Sequence, residues 1–275
     1  LHFNGMIERK SLARRNVKYE TEIIKSMQYV TGRTDWDKYY MQSINPNLKY
    51  YRCYYDLREE FYHVPKWDID NVNRNTIYAA GSAQTPMKGG HIVIEALNLV
   101  KREIPDVKAL FLASKQENGK LVPTSGYTKY IADLIKKYNL EDNVKFVSGQ
   151  KGDGVIKLMT NSHITVVPSA IENASATLRE AMHLGAPSIA AFRGGMTELV
   201  DNGKSGFLYD YTEYEFLAGR IVELMKNDKL ATEFSKNAIE KSSHWHNKEK
   251  NKNDYIEMYI FCGKKFLKTN SLKED

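Results

Sequence analysis

The stretch ITVVPSAIENASATLREAMHLGAPSIAAF, residues 164–192, carries the alternation that decides the fold. An apolar run at 164–169 is followed by an amphipathic segment at 176–185, and a second apolar run occupies 187–192. Continuous apolar runs indicate strands buried on both faces of a sheet, and helical periodicity between them indicates a covering helix. Gly185 is expected just past the end of that helix, where glycine is favoured. The stretch predicts a strand–helix–strand unit of a parallel sheet.

The same alternation extends to both sides of this stretch. Further strand candidates lie at 75–82, 107–114, 144–149 and 205–210, and helix candidates lie at 89–103, 127–140, 154–162, 194–203, 212–227 and 229–242. Apolar strands separated by amphipathic helices are typical of a parallel sheet covered on both faces. We therefore predict one doubly wound, Rossmann-like α/β domain over residues 75–243, with its ligand at the carboxyl ends of the strands.

The two ends of the chain differ from this domain. Residues 1–63 contain helical and Tyr-rich, strand-like pieces typical of the end of another α/β domain, so we expect remnants of a second α/β domain there. The polar segment 64–74 is predicted to be a linker, and 244–275 a C-terminal helix that returns toward the N-terminal part. The sequence SHWHN at 243–247 is interpreted as a surface Trp–His cluster, because no third ligand lies at metal-site spacing.

Composition and charge limit the kinds of molecule that the chain is expected to bind. The chain has 275 residues, a formal net charge of +6 and two cysteines far apart, Cys53 and Cys262. The charge favours an anionic partner, which leaves nucleic acid, an acidic membrane surface or a phosphorylated small molecule. The cysteine spacing favours reduced thiols and therefore a cytoplasmic protein. No apolar run approaches the roughly 20 residues that span a bilayer.

Two carboxylates stand out in the opening stretch. Glu172 is expected in the loop between strand and helix, beside first-turn amides that form a natural anion site. Glu180 follows two turns later, and a carboxylate can accept hydrogen bonds from two vicinal hydroxyls. Together these features describe a sugar-nucleotide pocket. The alternative is that Glu172 is a loop acid favoured by the helix dipole and Glu180 a solvated helix residue.

Further motifs follow the two acids at fixed intervals. They are A-M-x-x-G-x-P at 181–187, G-G-x-x-E-x-V at 194–200 and G-x-x-G-F-L at 203–208. With the acid–seven residues–acid pattern, this arrangement resembles the retaining glycosyltransferases of family 4, which have the GT-B fold of two facing α/β domains. The resemblance covers their C-terminal, nucleotide-binding half, and it is nearest to bacterial enzymes that build capsular or surface polysaccharides.

The resemblance implies roles for individual residues. Glu172 matches the acid that touches hydroxyls of the transferred hexose, and Glu180 matches the acid that holds the ribose. Lys88 matches a lysine that faces the donor phosphates, although a solvated lysine at a helix start is the alternative. Glu172 and Lys88 are the candidate catalytic residues. The remaining donor-binding candidates are Gly81, Ser82, Gly149, Asn173, Ala174, and the diphosphate cradle of Ser175, Ala176 and Thr177.

The sequence also departs from the family pattern. The family has a Gly-Arg pair after the first strand, where this chain has Gly81-Ser82, so a second phosphate-binding cation is missing there. Arg193 is a candidate substitute. Arg33 is a second candidate cleft residue, because Arg33 and Asp37 follow a strand of the N-terminal part. The alternative is that Arg33 and Asp37 form an internal structural pair.

The expected function is transfer of a hexose from a UDP- or GDP-sugar to a saccharide or lipid-linked saccharide acceptor, with retention and without metal or other cofactor. Polysaccharide biosynthesis is the expected setting. Two alternatives remain: a catalytically incomplete nucleotide-sugar-binding module, and a nucleic-acid-binding protein, which no recognition motif supports. The Lys/Asn-rich segment 247–253 is either a solvated basic surface or a peripheral contact with an anionic membrane.

Overall fold

The computed structural model describes residues 2–80, 83 and 85–271, and the side chains of residues 13–80, 83 and 85–264. The chain divides into two compact units, one formed by Leu1–Tyr54 with Lys248–Asp275 and the other by Tyr55–Asn247. The elements, in chain order, are α1 (His2–Ser26), β1 (Tyr29–Gly32), α2 (Asp35–Ile44), β2 (Lys49–Arg52), β3 (Asn73–Ala79), α3 (Gly90–Glu103), β4 (Lys108–Ala113), β5 (Gln116–Glu117), β6 (Lys120–Leu121), α4 (Gly126–Lys137), β7 (Val144–Ser148), α5 (Gly152–Asn161), β8 (Ser162–Val167), α6 (Ala176–Leu184), β9 (Ser188–Ala191), α7 (Met196–Leu199), β10 (Phe207–Tyr209), α8 (Tyr214–Met225), α9 (Asp228–Ser243) and α10 (Lys248–Ser271).

The larger unit is built on a six-stranded sheet whose named strand pairs are all parallel. Its strand order is β10-β9-β8-β3-β4-β7. Numbered along the chain, these six strands have the 3-2-1-4-5-6 order of dinucleotide-binding sheets. The predicted Rossmann-like parallel α/β fold is therefore confirmed. The order reverses between β3 and β8, and this switch point is where such sheets bind ligands.

Burial explains why the apolar runs became strands. All six residues of β8 and all four of β9 are buried, as a central parallel strand requires. Helix α3 packs against α4 and α8, and α6 packs against α5 and α9. The predicted end of α6 at Gly185 is confirmed: this residue has φ +78°, and its N–H donates to the Ala181 and Met182 carbonyls.

The segment predicted as a linker belongs to the larger unit instead of standing apart from it. Trp67 is 5% exposed, and its indole N–H donates to the Ser162 carbonyl over 2.9 Å. Its backbone N–H donates to the Leu184 carbonyl over 2.7 Å. Burial of this one aromatic ring fixes residues 64–74 on the fold, whereas their polar composition had suggested a solvated connection.

The smaller unit contains a parallel pair of strands, β1 and β2, with Tyr29 opposite Lys49. Helix α2 begins at a capping box, in which Thr34 accepts from the Asp37 N–H and Asp37 accepts from the Thr34 N–H. Asp37 is 4% exposed and also accepts a hydrogen bond from the Tyr50 hydroxyl over 2.5 Å. The Asp37 carboxylate is thus used to begin a helix, which agrees with the alternative of an internal structural role.

The interpretation of SHWHN as a surface cluster is also wrong. Trp245 is 7% and His246 6% exposed, because the chain turns inward after α9. The His246 ring lies 5.2 Å from the His183 ring in an edge-to-face arrangement. None of the helices in the described part of the chain combines the length and the apolar character that a membrane span requires.

Candidate functional site

The candidate site lies at the switch point of the sheet, where β3 and β8 run side by side. Ala79 of β3 is paired with Val166 of β8, and the Ala80 N–H donates to the Val166 carbonyl over 3.1 Å. Lys88 follows β3 and Glu172 follows β8. Because parallel strands end at one edge, the two loops meet there.

Backbone contacts hold these two loops together. The Ala170 N–H donates to the Met87 carbonyl over 2.8 Å. Gly89 has φ +71°, and a Cβ at this position would lie 1.9 Å from the Pro168 carbonyl oxygen. Only glycine fits such an approach. The Lys88 ammonium, presented by this turn, donates to Glu172 Oε1.

A third loop, between β9 and α7, contacts the backbone of Glu172. The Gly195 N–H donates to the Glu172 carbonyl over 3.0 Å. Gly194 has φ +55°, and a Cβ there would lie 2.1 Å from the same carbonyl oxygen. Loops after three neighbouring strands therefore fix the Glu172 carboxylate, whose side chain is 19% exposed.

Helix α6 begins four residues beyond Glu172. Ser175 is its N-cap and accepts from the Leu178 N–H over 3.4 Å. Ala176 and Thr177 occupy the first two helical positions, whose N–H groups have no acceptor within a helix and favour anions. Ala174 is buried, and Asn173 lies in the preceding bend. The predicted cradle therefore lies at a helix start on the edge that carries Lys88.

Glu180 lies inside α6 and is held by a residue that sequence reasoning missed. Arg58 Nη2 donates to Glu180 Oε1 over 3.1 Å, and the Glu180 side chain is 12% exposed. Burial raises the pKa of the Glu180 carboxyl, and the Arg58 charge opposes that rise. Arg58 was assigned to the N-terminal part, and no local pattern distinguishes it in DLREEFY.

Beside Glu180, α6 carries a buried arginine that was also missed. Arg179 is 2% exposed, and its Nη2 donates to the Tyr55 carbonyl over 2.5 Å and to His246 Nδ1 over 3.3 Å. One side chain thus joins the first and last segments of the larger unit to the helix that carries Glu180. No sequence signal identified it, because buried and exposed arginines look alike in a helical pattern.

The other predicted residues are placed less centrally. Gly149 follows β7, an edge strand three strand positions from β8, or roughly 14 Å away. Arg193 Nη2 donates to Asp210 Oδ1 over 3.2 Å, and its role as a substitute phosphate cation stays a prediction. Arg33 lies in the smaller unit and its N–H donates to Asp37 Oδ2 over 3.0 Å. Gly81 and Ser82 lie outside the described residues.

Within the described part of the chain, no three His, Cys, Asp or Glu side chains are grouped so that they could hold a metal ion. A cation, two acids and a helix start at the switch point of a Rossmann-like sheet are typical of nucleotide-binding α/β proteins. The chain belongs to the family described as "Glycosyl transferases group 1", whose profile matches residues 69–241.

Curated relatives match the same region. Spore coat protein SA of Bacillus subtilis (strain 168) is 30% identical over 165 residues, which cover 58% of this chain and 42% of that protein. The putative colanic acid biosynthesis glycosyltransferase WcaL of Salmonella typhimurium is 26% identical, over 56% of this chain and 40% of that protein. The chain thus spans less than half the length of these relatives.

A solved structure shares the fold over more of the chain. Anabaena Alr3699/HepE, determined in complex with UDP-glucose, matches with a TM-score of 0.77 and 21% identity over 92% of this chain and 69% of that one. At this identity the likeness concerns the fold.

Proposed function

We propose that this chain carries the donor-binding half of a retaining, metal-independent glycosyltransferase, which moves a hexose from a UDP- or GDP-sugar to a saccharide acceptor. The observation that carries the proposal is the contact between Lys88 and Glu172 at the β3–β8 switch point, one loop away from the start of α6. Family membership and a neighbour bound to UDP-glucose support it.

The proposed chemistry is electrostatic. As the bond between the hexose and the diphosphate breaks, negative charge accumulates on the leaving phosphate. The Lys88 ammonium and the first-turn amides of Ala176 and Thr177 would stabilise that charge, because fixed donors aimed at a developing charge require little reorganisation. Glu172, in contact with Lys88, would accept hydrogen bonds from hexose hydroxyls and hold the sugar against the phosphate.

Glu180 is proposed to hold the ribose of the donor. A carboxylate accepts from two vicinal hydroxyls, and this one lies further along the helix whose start would hold the diphosphate. The proposal therefore orders the donor along α6 and its preceding loop, with the ribose at Glu180, the diphosphate at the helix start and the hexose at Glu172.

The remaining features of the proposal concern the acceptor and the setting. Likeness to WcaL, a putative colanic acid biosynthesis glycosyltransferase, supports a role in polysaccharide biosynthesis. The proposed acceptor is a saccharide or a lipid-linked saccharide. The proposed location is cytoplasmic, and the basic charge of the chain would support peripheral contact with an anionic membrane. Specificity for capsule or surface polysaccharide and membership of family 4 belong to the same proposal.

One observation favours a second candidate, a nucleotide-sugar-binding module without transfer activity. Ser82 stands where the resemblance places a phosphate-binding arginine, and Arg193 is engaged with Asp210. A site with fewer cations would still bind a nucleotide but would stabilise the leaving phosphate less.

The first test is calorimetric titration of the chain with UDP, GDP and their glucose derivatives, combined with a transfer assay. We expect Glu180→Gln and Lys88→Met each to weaken nucleotide binding roughly 10- to 100-fold, as loss of a charge-assisted hydrogen bond predicts. Glu172→Gln is expected to leave UDP affinity within about threefold but to lower transfer about 100-fold.

Lys226→Met is the matched control. Lys226 pairs with Glu103 over 2.8 Å at the far end of α3, so its loss should change neither binding nor transfer. Unchanged nucleotide affinity in Glu180→Gln would contradict the ribose role. Nucleotide binding without any transfer by the parent chain would favour the binding module.

A further inference from the structure

Arg58 reaches Glu180 from a part of the chain 122 positions earlier. Its guanidinium contacts one carboxylate oxygen, Oε1, over 3.1 Å. The two side chains differ in exposure, since Arg58 is 47% exposed and Glu180 12%. The cation therefore lies at the surface end of the contact and the acid at its enclosed end.

Packing fixes the segment that carries Arg58. Phe61 is fully buried, and the Arg58 guanidinium lies 4.9 Å from the centre of its ring. The Tyr62 ring packs edge-on against His183 of α6 at 5.2 Å, and the Tyr62 hydroxyl accepts from the Leu57 N–H. The Tyr55 carbonyl accepts from Arg179. Residues 55–62 are thus attached to α6 before and after Arg58.

The groups that face Glu180 come from three elements. Arg58 and Glu60 belong to the attached segment, Arg179 to α6 and Tyr78 to β3. Burial raises the pKa of Glu180 and the Glu60 charge raises it further, whereas Arg58 and Arg179 lower it. Arg58 is the larger of the two opposing influences.

We propose that Arg58 is a positioning residue for the donor: it fixes Oε1 of Glu180, so that Oε2 is aimed at the vicinal hydroxyls of a nucleoside diphosphate ribose. This inference rests on the proposed function. A carboxylate has about four lone-pair sites, so one oxygen can be held by the guanidinium while the other accepts from a diol. Arg58 thereby contributes to the choice of ribose over 2′-deoxyribose.

The test measures affinity of the full chain for UDP and 2′-deoxy-UDP, and for GDP and 2′-deoxy-GDP, by calorimetry between pH 5.5 and 8. In Arg58→Gln we expect UDP or GDP binding to weaken about tenfold and the deoxy forms to weaken less than about threefold, so that ribose discrimination falls. Affinity should also be lost at a higher pH than in the parent, because Glu180 without Arg58 takes up a proton more readily.

Two further variants separate this role from a merely structural one. Arg58→Lys keeps the positive charge and should restore the pH profile, with discrimination restored in part, because a lysine lacks the planar guanidinium. Arg74→Gln is the matched control, since Arg74 pairs with Asp228 over 2.7 Å in the same unit. It should leave both readouts unchanged.

The outcomes are distinguishable. If Glu180→Gln loses ribose discrimination and folded Arg58→Gln keeps both the parent ratio and the parent pH profile, the role of Arg58 is overturned and the proposed function stands. Tighter UDP binding in Arg58→Gln would also overturn it, because Arg58 would then compete with the ribose. If the parent chain and Glu180→Gln do not differ toward UDP and 2′-deoxy-UDP, the ribose role in the proposed function fails, and this inference fails with it.

Discussion

Two ion pairs involve α6 and the loop before it, and they are built in different ways. In Lys88–Glu172 and Arg58–Glu180 the carboxylates have similar side-chain exposures of 19% and 12%, and the cations have 44% and 47%. The first pair is placed by backbone contacts between loops at adjacent strand ends. The second depends on a segment that packs onto the helix through side chains. The first should therefore fail when a backbone conformation is changed, and the second when packing is loosened.

The largest effect is expected from Gly89→Ala, which acts on the first pair. The new Cβ would meet the Pro168 carbonyl oxygen, so the Lys88 turn must move away from the loop that carries Glu172. A side chain at a positive φ lowers the free energy of unfolding by itself. We expect Gly89→Ala to lower it by at least about 2 kcal/mol more than that. Urea denaturation gives the stability, and UDP titration should show weakened binding.

Gly203→Ala is the matched control for this change. Gly203 has φ +77°, and a Cβ there would meet no atom within 4 Å, so it shares the backbone conformation without the close approach. Its cost should be about 1 kcal/mol, with UDP binding unchanged. Equal losses in the two variants would show that the contact with Pro168 does not hold the site.

A smaller effect is expected from Arg179→Met, which acts on the support of the second pair. Methionine keeps an unbranched apolar side chain in the buried position but removes the guanidinium and with it the donors to the Tyr55 carbonyl and to His246. Loss of hydrogen bonds made by a buried charged group should cost about 2–3 kcal/mol in urea denaturation. UDP affinity should fall in the same direction as in Arg58→Gln, because the segment carrying Arg58 is released.

The surface variant Arg102→Met serves as its control. Arg102 is an exposed residue of α3, and its replacement should change stability by no more than about 0.5 kcal/mol. Equal stabilities of the two variants would mean that Arg179 does not anchor the segment, and the contrast between the two pairs would lose its physical basis.

This contrast also explains which parts of the site the sequence could predict. Lys88 and Glu172 each follow an apolar run, and the ends of parallel strands share one edge, so their approach follows from a local pattern and a general rule. Periodicity does not reveal that β3 and β8 are neighbours. The resemblance supplied that step by assigning both residues to one donor site.

Arg58 and Arg179 could not be predicted because their partners are distant in sequence. The fully buried Phe61 places Arg58, and nothing in the letters DLREEFY shows that this ring enters the larger unit. The surface prediction for SHWHN failed for a similar reason, because its polar composition does not show that the chain turns inward there. The hairpin of β5 and β6 was missed although it has a local signal: Asn118-Gly119 between the strands is a typical two-residue turn, and both residues have positive φ.

The smallest effect is expected on stability at low pH, and it should act through the residues that support the second ion pair, Arg58–Glu180. His246 contacts Arg179 and His183 contacts Tyr62, so both histidines support the second pair. Burial lowers the pKa of His183 to about 4 and that of His246 to about 2, below the unfolded value near 6.5. The unfolded chain therefore takes up protons first, so stability is fully present above pH 6.5 and falls as the pH is lowered from there. Each histidine contributes up to about 1.4 kcal/mol per pH unit.

His246→Asn should reduce this acid loss, because asparagine keeps an acceptor near the Nδ1 position and does not titrate. Urea midpoints at pH 7.5 and 5.0 measure the difference, with His63→Asn, at a residue whose side chain is 74% exposed, as the control. Glu180 acts in the opposite sense, since its pKa is raised, so the comparison is between variants at each pH. If His246→Asn and the parent lose equal stability on acidification, then His246 takes up its proton in the folded chain as readily as in the unfolded one. That result would remove the reason for expecting the second pair to be the acid-sensitive one.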